Sequence, residues 1–382
     1  MTYVFDSGNN VLKTQPGDIP SNWMKGSGDV YGLLIGDNVT NIGSYSFSGC
    51  KNLNTDFFLK SGVDQISVGA FRVYTELRSN LLFEKSDDLK IQALAFKSAG
   101  FVGDLILPNF ISEIDAAAFS NCKGFDGILM LPSGLPDIEA QTFLNCDGLI
   151  GDINIPDSVA AVKNGAFARC SGFNGNLTLG TGFRFTFDNA FLDCNQLVGT
   201  LNIPDNAEYL GGSSFRRCSQ LQEVYFGTGL QYVYGYAFDG CKSLSNTVSF
   251  KEGFTGGIGD YAFRDCENIK GLTFDSEYLS FIRRHSFEGC ASLRGGLDLR
   301  MKRPPGDTNP ATIWERAFRD LNQLDGELKL GEVEFIGYEA FYNCESLEGD
   351  LTIPSACTNV GERSFRNCGF NGNLYFEDYQ TQ

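Results

Sequence analysis

The sequence predicts a single β-rich solenoid of about fourteen coils of 23 to 25 residues, built from short parallel strands and short helical turns. Three observations predict this fold. Phenylalanine recurs at nearly constant spacing, short alternating apolar segments recur with it, and the 382 residues include 33 Phe and 45 Gly. A chain that reuses one pattern in this way stacks its units, because each unit alone cannot bury its apolar face.

One phenylalanine marks each repeat, and the residue before it is Ala or Ser except at Thr142. Successive members lie 23 to 25 residues apart, with a single interval of 31. We expect these rings to form a buried column, since a small preceding residue lets the next coil approach closely. The fourteen members are Phe47, Phe71, Phe96, Phe119, Phe143, Phe167, Phe191, Phe215, Phe238, Phe263, Phe287, Phe318, Phe341 and Phe365.

A second column lies three residues later, where eleven of the fourteen repeats have cysteine and the others have Tyr74, Ala99 or Leu321. Apolar residues a further three positions on, such as Leu149, complete a pattern typical of a tight helical turn. Neighbouring rungs place Cβ atoms about 4.8 Å apart, too far for a disulfide, and no Cys-x-x-Cys pair exists for zinc. The sequence therefore predicts buried, reduced thiols, with only the off-register Cys357 accessible.

The remainder of each repeat predicts two short strands. Segments such as 201–204 (Leu-Asn-Ile-Pro) alternate and end at proline, which has no amide to donate to a ladder. A glycine precedes this strand at positions 103, 127, 151, 175 and 199, which indicates a turn with positive φ. A second extended segment, such as 159–162, leads to the next phenylalanine. Stacking should join these strands into continuous parallel ladders.

Segments such as 258–269 (Ile-Gly-Asp-Tyr-Ala-Phe-Arg-Asp-Cys-Glu-Asn-Ile) and 336–354 resemble BspA-type leucine-rich repeats from about residue 30 onward. The resemblance implies a leucine-rich-repeat solenoid. It also implies kinship with bacterial surface adhesins, protozoan surface proteins, and proteins of viruses and phages, which generally bind proteins or cell-surface material. No signal peptide, wall-anchor motif or extra domain is visible, which favours a virion or intracellular component over a conventional secreted adhesin.

The predicted domain organisation has three parts. Residues 1–30 lie off the repeat pattern and form an N-terminal cap, residues 31–370 form the solenoid, and residues 371–382 form a C-terminal cap and tail. The 31-residue interval contains one insertion, residues 300–310, and insertions in repeat arrays map to loops on one face.

The net charge of −17 argues against binding nucleic acid or an anionic membrane, and no apolar stretch is long enough for membrane insertion. Against this background, residues 281–303 carry six basic and two acidic side chains. The sequence interpretation is a contact site for an acidic partner or an assembly neighbour, and the alternative is a solvated loop. The basic residues are Arg283, Arg284, Arg294, Arg300, Lys302 and Arg303.

Catalytic chemistry is not predicted. His285 is the single histidine and is interpreted as a polar surface residue, while Asp104, Asp152 and Asp350 are interpreted as turn residues, not calcium ligands. We therefore predict no catalytic, cofactor-binding or metal-binding residues. The predicted function is recognition or adhesion on a cell or virus particle, and the alternative is a structural decoration, fibre or spacer of a virion.

Overall fold

The computed structural model describes residues 1–53, 57–60, 62–72, 79–84 and 87–377. These residues form 31 strands and no α-helix. The chain divides into two compact units. Unit 1 comprises Met1–Phe183 and Ala190–Leu197, and unit 2 comprises Arg184–Asn189 and Val198–Gln382. Both units are β-solenoids of parallel strands, so the predicted fold class is confirmed.

Unit 1 opens with a three-stranded antiparallel sheet that has its first strand in the middle, and two of the strands lie in the predicted N-terminal cap and the third just after it. Its strands are β1 (Thr2–Phe5), β2 (Val11–Gln15) and β3 (Gly32–Leu34). The coils follow, with β4 (Asn41–Ile42), β5 (Phe57–Leu59), β6 (Gln65–Ile66), β7 (Leu81–Phe83), β8 (Leu89–Ile91), β9 (Gly103–Ile106), β10 (Ile111–Ile114), β11 (Phe125–Met130), β12 (Asp137–Ile138), β13 (Ile153–Asn154), β14 (Ala161–Val162) and β15 (Leu177–Thr178).

Unit 2 continues the same alternation of two strands per coil. It contains β16 (Phe185–Thr186), β17 (Thr200–Ile203), β18 (Tyr209–Leu210), β19 (Glu223–Phe226), β20 (Tyr232–Val233), β21 (Thr247–Phe250), β22 (Gly257–Ile258), β23 (Gly271–Phe274), β24 (Phe281–Ile282), β25 (Leu297–Met301), β26 (Thr312–Ile313), β27 (Leu328–Gly331), β28 (Phe335–Ile336), β29 (Leu351–Ile353), β30 (Asn359–Val360) and β31 (Leu374–Phe376). Residues 378–382 of the predicted C-terminal tail lie outside the described residues.

The two strand positions of each coil pair differently. In unit 1 the even-numbered strands β4, β6, β8 and β10 form one parallel sheet, and in unit 2 β16 to β30 do the same. The odd-numbered strands from β5 onward pair in twos, for example β5 with β7 and β17 with β19. The sequence predicts continuous ladders at both strand positions. In the structure the long ladders occur at the even-numbered strands alone, directly before the phenylalanine column.

The phenylalanine column forms the centre of each unit. All its members are buried except Phe365, which is half-buried. Successive rings stack nearly parallel, as Phe167 and Phe191 do at a centroid distance of 5.3 Å and an angle of 2° in unit 1. In unit 2, Phe318 and Phe341 stack at 5.1 Å and 7°. Offset aromatic stacking adds to the area that each ring buries, so this column is a main source of stability.

The segment around each phenylalanine consists of hydrogen-bonded turns and not of a helix. Two residues before the phenylalanine, all fourteen coils have φ between 52° and 62°. Around Phe143, for example, Gln141 has φ 58° and Asn145 has φ 61°. The amide of Phe143 then donates to the Ala166 carbonyl of the next coil at 2.8 Å. These left-handed residues turn the amides toward the neighbouring coil, which prevents the i→i−4 bonds of an α-helix.

All twelve cysteines are free thiols, and ten of them are buried, as the sequence predicts. Cys357 is half-buried, and so is Cys368 in the last coil, which the sequence pattern did not single out. Tyr74, one of the three exceptions in the cysteine column, lies outside the described residues.

Candidate functional site

The predicted basic cluster divides into two groups in unit 2. Three of its side chains lie next to carboxylates at partly exposed positions, which offsets much of their charge. The pairs are Arg300 Nε with Asp298 Oδ2 at 3.6 Å, Lys302 Nζ with Glu332 Oε1 at 3.1 Å, and Arg303 Nε with Glu334 Oε1 at 3.8 Å. Arg300 is therefore paired within its own strand, and Lys302 and Arg303 are paired with acidic residues of the following coil.

Arg283, Arg284 and Arg294 are exposed, and none of them forms an ion pair with a described carboxylate. The guanidinium of Arg283 lies 4.6 Å from the ring centroid of Phe281, and that of Arg284 lies 5.5 Å from the ring of Trp314. Stacking on an aromatic face holds a guanidinium in place while its N–H groups stay available to a ligand. Arg283 and Arg284 are therefore the members of the predicted cluster best placed for recognition.

The outward positions of the even-numbered strands in unit 2 carry a continuous row of rings, which we call the aromatic ridge. Its members are Phe185, Tyr209, Tyr234, Tyr232 and Phe281, with successive centroid distances of 5.0, 5.8, 6.1 and 6.3 Å. Arg283 continues the row beyond Phe281. Tyr232 is 37% exposed and Tyr234 is 49% exposed, so the ridge presents aromatic surface to solvent.

The register of the sheet explains why these rings meet. Tyr232 pairs with Gly257, and Gly257 pairs with Phe281, so a glycine occupies the rung between two aromatic residues. A Cβ at Gly257 would lie 2.6 Å from Cδ2 of Phe281 and 2.4 Å from its carbonyl oxygen. Any side chain at position 257 would clash with Phe281. Glycine therefore leaves room for the rings of Tyr232 and Phe281 to approach each other across the intervening strand.

Two pockets adjoin the ridge and share Tyr232, Phe281 and Arg283. Pocket A has a volume of about 300 Å³, and its other lining residues are Val233, Tyr234, Gly235, Gly257, Gly259 and Asp260. Pocket B has a volume of about 260 Å³, and its other lining residues are Ser280, Asp307, Asn309, Pro310, Thr312 and Trp314. Concave sites with aromatic walls and a few polar groups are typical of ligand binding.

The insertion predicted at residues 300–310 supplies one wall of pocket B through Asp307, Asn309 and Pro310. Asp307 Oδ1 accepts hydrogen bonds from the backbone and side-chain nitrogens of Asn309, each at 2.9 Å, which orders the loop. On the sheet side, Trp314 Nε1 donates to Thr312 Oγ1 at 2.9 Å and fixes the indole ring. The irregular repeat therefore contributes to the candidate site.

His285 contacts a glutamate and stacks on a neighbouring ring, and both contacts are structural. Its Nδ1 lies 2.6 Å from Glu288 Oε2, and its ring stacks on Tyr261 at a centroid distance of 4.6 Å. Tyr261 in turn stacks on Tyr236 at 4.7 Å. This row of rings follows the left-handed position of successive coils, and it places the imidazole in contacts that stabilise the stack.

The aspartates predicted to lie in turns hold neighbouring coils together. Asp104 Oδ1 accepts a hydrogen bond from the Ile128 amide at 2.8 Å. Asp152 does the same for Asn176 at 2.7 Å, and Asp350 for Asn373 at 2.6 Å. Within the described ranges, no group of three or more His, Cys, Asp or Glu side chains is arranged to hold a metal ion. No helix long and apolar enough to span a membrane occurs in the described part of the chain.

A second exposed apolar row lies in unit 1, on the outward positions of its odd-numbered strands. The side chains are 38% to 52% exposed and recur every 24 residues, at Leu34, Phe58, Leu82, Ile106 and Met130. Unlike the aromatic ridge, this row consists mainly of aliphatic side chains and includes no arginine. We call it the aliphatic row.

The fold and these two faces define a leucine-rich-repeat protein. The family model for the BspA type leucine rich repeat region matches overlapping segments 17–149, 89–199, 137–256, 187–298 and 245–372. The chain therefore belongs to the BspA-type leucine-rich repeat family, as the sequence resemblance indicates. No curated protein sequence matches it.

One solved structure shares the fold over nearly the whole chain. A leucine-rich repeat protein from Bacteroides ovatus ATCC 8483 superposes with a TM-score of 0.71 at 20% identity, covering 98% of this chain and 90% of that one. A protein from Eubacterium ventriosum ATCC 27560 gives 0.42 at 18% identity, covering 97% and 95%. A leucine rich cell surface protein from Faecalibacterium prausnitzii A2-165 gives 0.40 at 18% identity, covering 95% and 84%.

The aromatic ridge was missed by the sequence interpretation, which followed inward positions and charge. Its signal is present in the sequence. Aligned on the phenylalanine column, the position six residues earlier reads Phe185, Tyr209, Tyr232, Gly257 and Phe281. Aromatic residues in an outward column have no core to enter, so they indicate a surface that binds a partner.

Proposed function

We propose that this chain is a non-enzymatic recognition module that binds a protein partner through the aromatic ridge and its two pockets. The observation that carries the proposal is the cluster of exposed Tyr232, Tyr234 and Arg283 with half-buried Phe281 and Trp314 around pockets A and B. Tyr, Trp and Arg dominate the binding energy of protein interfaces, because they bury large areas and keep a polar group at the edge.

The geometry supports binding more than it supports catalysis. Arg283 and Asp260 are the charged groups of pocket A, and Asp260 Oδ1 already accepts a hydrogen bond from the Arg284 amide at 3.0 Å. The histidine does not line either pocket. Membership of a repeat family whose fold serves mainly to bind ligands supports the same proposal.

The finer predictions from the sequence remain part of this proposal. Adhesion, display on a cell surface and recognition of a host are predictions from the family resemblance. A structural role in a virus particle remains the alternative prediction. Quantitative mass spectrometry of cytosol, cell surface and released particles would separate them, since enrichment in particles favours the virion component and enrichment at the surface favours the adhesin.

The binding site can be tested with variants of side chains that line the pockets, with unchanged circular dichroism as the control for folding. Immobilised protein would be presented with solubilised surface proteins from candidate target cells, before and after protease treatment. We expect protease-sensitive binding that Tyr234→Ser and Trp314→Ser weaken by about tenfold or more. Tyr225→Ser, at a 48% exposed tyrosine of β19 outside both pockets, should leave it unchanged. If Phe58→Ser weakens binding and Tyr234→Ser and Trp314→Ser do not, the binding site is the aliphatic row and not the aromatic ridge.

A further inference from the structure

The spacing and chemistry of the two pockets specify the form of the partner segment. Resting on the proposed function, we propose that pockets A and B hold an extended segment in the polyproline II conformation. Prolines three residues apart enter the two pockets, and an acidic side chain next to them contacts Arg283 and Arg284.

The distance between the pockets selects this conformation. Gly257 in pocket A and Thr312 in pocket B are the two register partners of Phe281, so they lie two rungs apart. Two rungs of a parallel sheet span about 9.6 Å. Three residues of a polyproline II helix rise about 9.3 Å, whereas two residues of a β-strand rise only about 6.6 Å. A polyproline II segment that runs along the stacking direction of the strands therefore places its residues i and i+3 on the two sides of Phe281.

The walls of the pockets suit proline. Grooves between aromatic rings accept the pyrrolidine ring, and a preformed polyproline II segment loses little conformational entropy on binding. Phe281 and Tyr232 line both pockets, and Trp314 adds a third ring to pocket B. The rings also lie on the face of the sheet formed by β20, β22 and β24 and not at an open edge. Addition of a partner strand to a sheet edge is therefore not the mode that this site offers.

Two exposed guanidinium groups at the site can pair with an acidic residue in the ligand, while the pocket carboxylates Asp260 and Asp307 already accept hydrogen bonds from backbone amides. Arg283 and Arg284 form no ion pair with a described carboxylate, although the chain as a whole has a net charge of −17. Their guanidinium groups can donate to a carboxylate in the bidentate geometry that arginine favours. The proline carbonyls, which no intramolecular bond occupies in polyproline II, are further acceptors for Arg283.

The proposal can be tested by fluorescence anisotropy with the full-length chain. The probe is a labelled peptide of about a dozen residues with two glutamates followed by prolines three positions apart. Three further probes are the same peptide with alanine for proline, the same peptide with lysine for glutamate, and a labelled oligosaccharide of glucuronic acid. We expect the first peptide to bind at least about tenfold more tightly than the other three.

Protein variants then locate the binding. Tyr232→Ser and Arg283→Gln should each weaken the first peptide by about tenfold or more, and added salt should weaken it further. Tyr225→Ser and Arg294→Gln are the matched controls at exposed tyrosine and arginine positions outside the pockets, and they should change the affinity less than about twofold. Unchanged circular dichroism of Tyr232→Ser would exclude misfolding as the cause of its effect.

Three results would overturn the proposal. They are equal binding of the alanine peptide, preferential binding of the oligosaccharide, and a loss of affinity with Arg294→Gln as large as with Arg283→Gln. If no peptide binds while a surface protein still binds through Tyr234 and Trp314, the polyproline inference fails and the proposed recognition function stands. If neither binds, both fail.

Discussion

The thiol of Cys146 donates a hydrogen bond to the carbonyl oxygen of Phe119 in the preceding coil, at 3.1 Å. Both residues are fully buried. The same oxygen accepts the amide of Cys122 at 3.1 Å, so the thiol gives a second partner to a buried carbonyl. The bond recurs along both units, for example from Cys170 to the Phe143 oxygen at 2.9 Å. The cysteine column is therefore a hydrogen-bonding element between coils as well as core.

Replacing Cys146 tests the value of this bond. Cys146→Ala removes the donor and leaves a small cavity, and we expect it to lower the free energy of unfolding by about 1–2 kcal/mol. Cys146→Ser keeps a donor and should be less destabilising than the alanine variant. Chemical denaturation followed by circular dichroism measures both. A serine variant less stable than the alanine variant would show that the thiol acts only by packing.

The thiols should differ in their reaction with iodoacetamide. The neighbouring Cys344 thiol lowers the pKa of half-buried Cys368, whereas burial raises the pKa of Cys357 and raises that of Cys146 to about 12. Since the thiolate is the nucleophile, we expect Cys368 to react first, and its rate should level off at a lower pH than that of Cys357.

Peptide mass spectrometry as a function of pH follows each thiol separately in this experiment. The ten buried cysteines should react only after unfolding. Rapid labelling of Cys146 in the native protein would contradict the buried column.

The stacked rings make a further stability prediction. Phe191 is fully buried, and Phe191→Ala should lower the free energy of unfolding by about 3–5 kcal/mol through lost burial and the cavity. Phe58 is 49% exposed in the aliphatic row, and Phe58→Ala is the matched control, with an expected loss below about 1 kcal/mol. Equilibrium denaturation compares the two. Equal losses would mean that stability does not depend on the phenylalanine column.

A buried carboxylate in unit 2 joins three coils. Asp239, whose side chain is 4% exposed, lies 2.8 Å from Nε of Arg216 and 2.8 Å from Nε of Arg264. Asp239→Asn removes this carboxylate from Arg216 and leaves Arg264 with the exposed Asp265, 3.7 Å away. We expect a loss of about 2 kcal/mol, since both arginines are partly solvated. Asp275→Asn removes an exposed pair with Lys251 and should cost less than about 0.5 kcal/mol. Thermal denaturation in low and high salt measures these losses, and a similar effect of both variants would argue against the role of burial.

Inward positions could be predicted from the sequence because their residue types repeat. The phenylalanine and cysteine columns are nearly uniform, so their spacing alone indicates a stacked core. The left-handed position was not predicted, because it is occupied by residues as different as Leu94, Ala117 and Gln141, and no preference for glycine marks it. The register of the stack fixes that backbone geometry, and the local residue does not.

The candidate site could be predicted only in part. The charge along the chain indicates Arg283 and Arg284, which border the aromatic surface. It also groups them with Arg300 and Lys302, whose charges are offset by Asp298 of the same strand and Glu332 of the next coil. Outward positions differ from coil to coil, and their neighbours across coils become known only when the register is known. For this reason the aromatic ridge required the structure.

Site-specific photo-crosslinking tests the central claim, recognition through the aromatic ridge, most directly. A benzophenone amino acid would replace Tyr234 in one variant and Tyr225 in another, both at exposed tyrosines of unit 2. After irradiation with surface proteins of target cells, we predict a discrete protein adduct from position 234 and none from position 225. Adducts of equal yield from both positions, or from position 225 alone, would contradict recognition by this face.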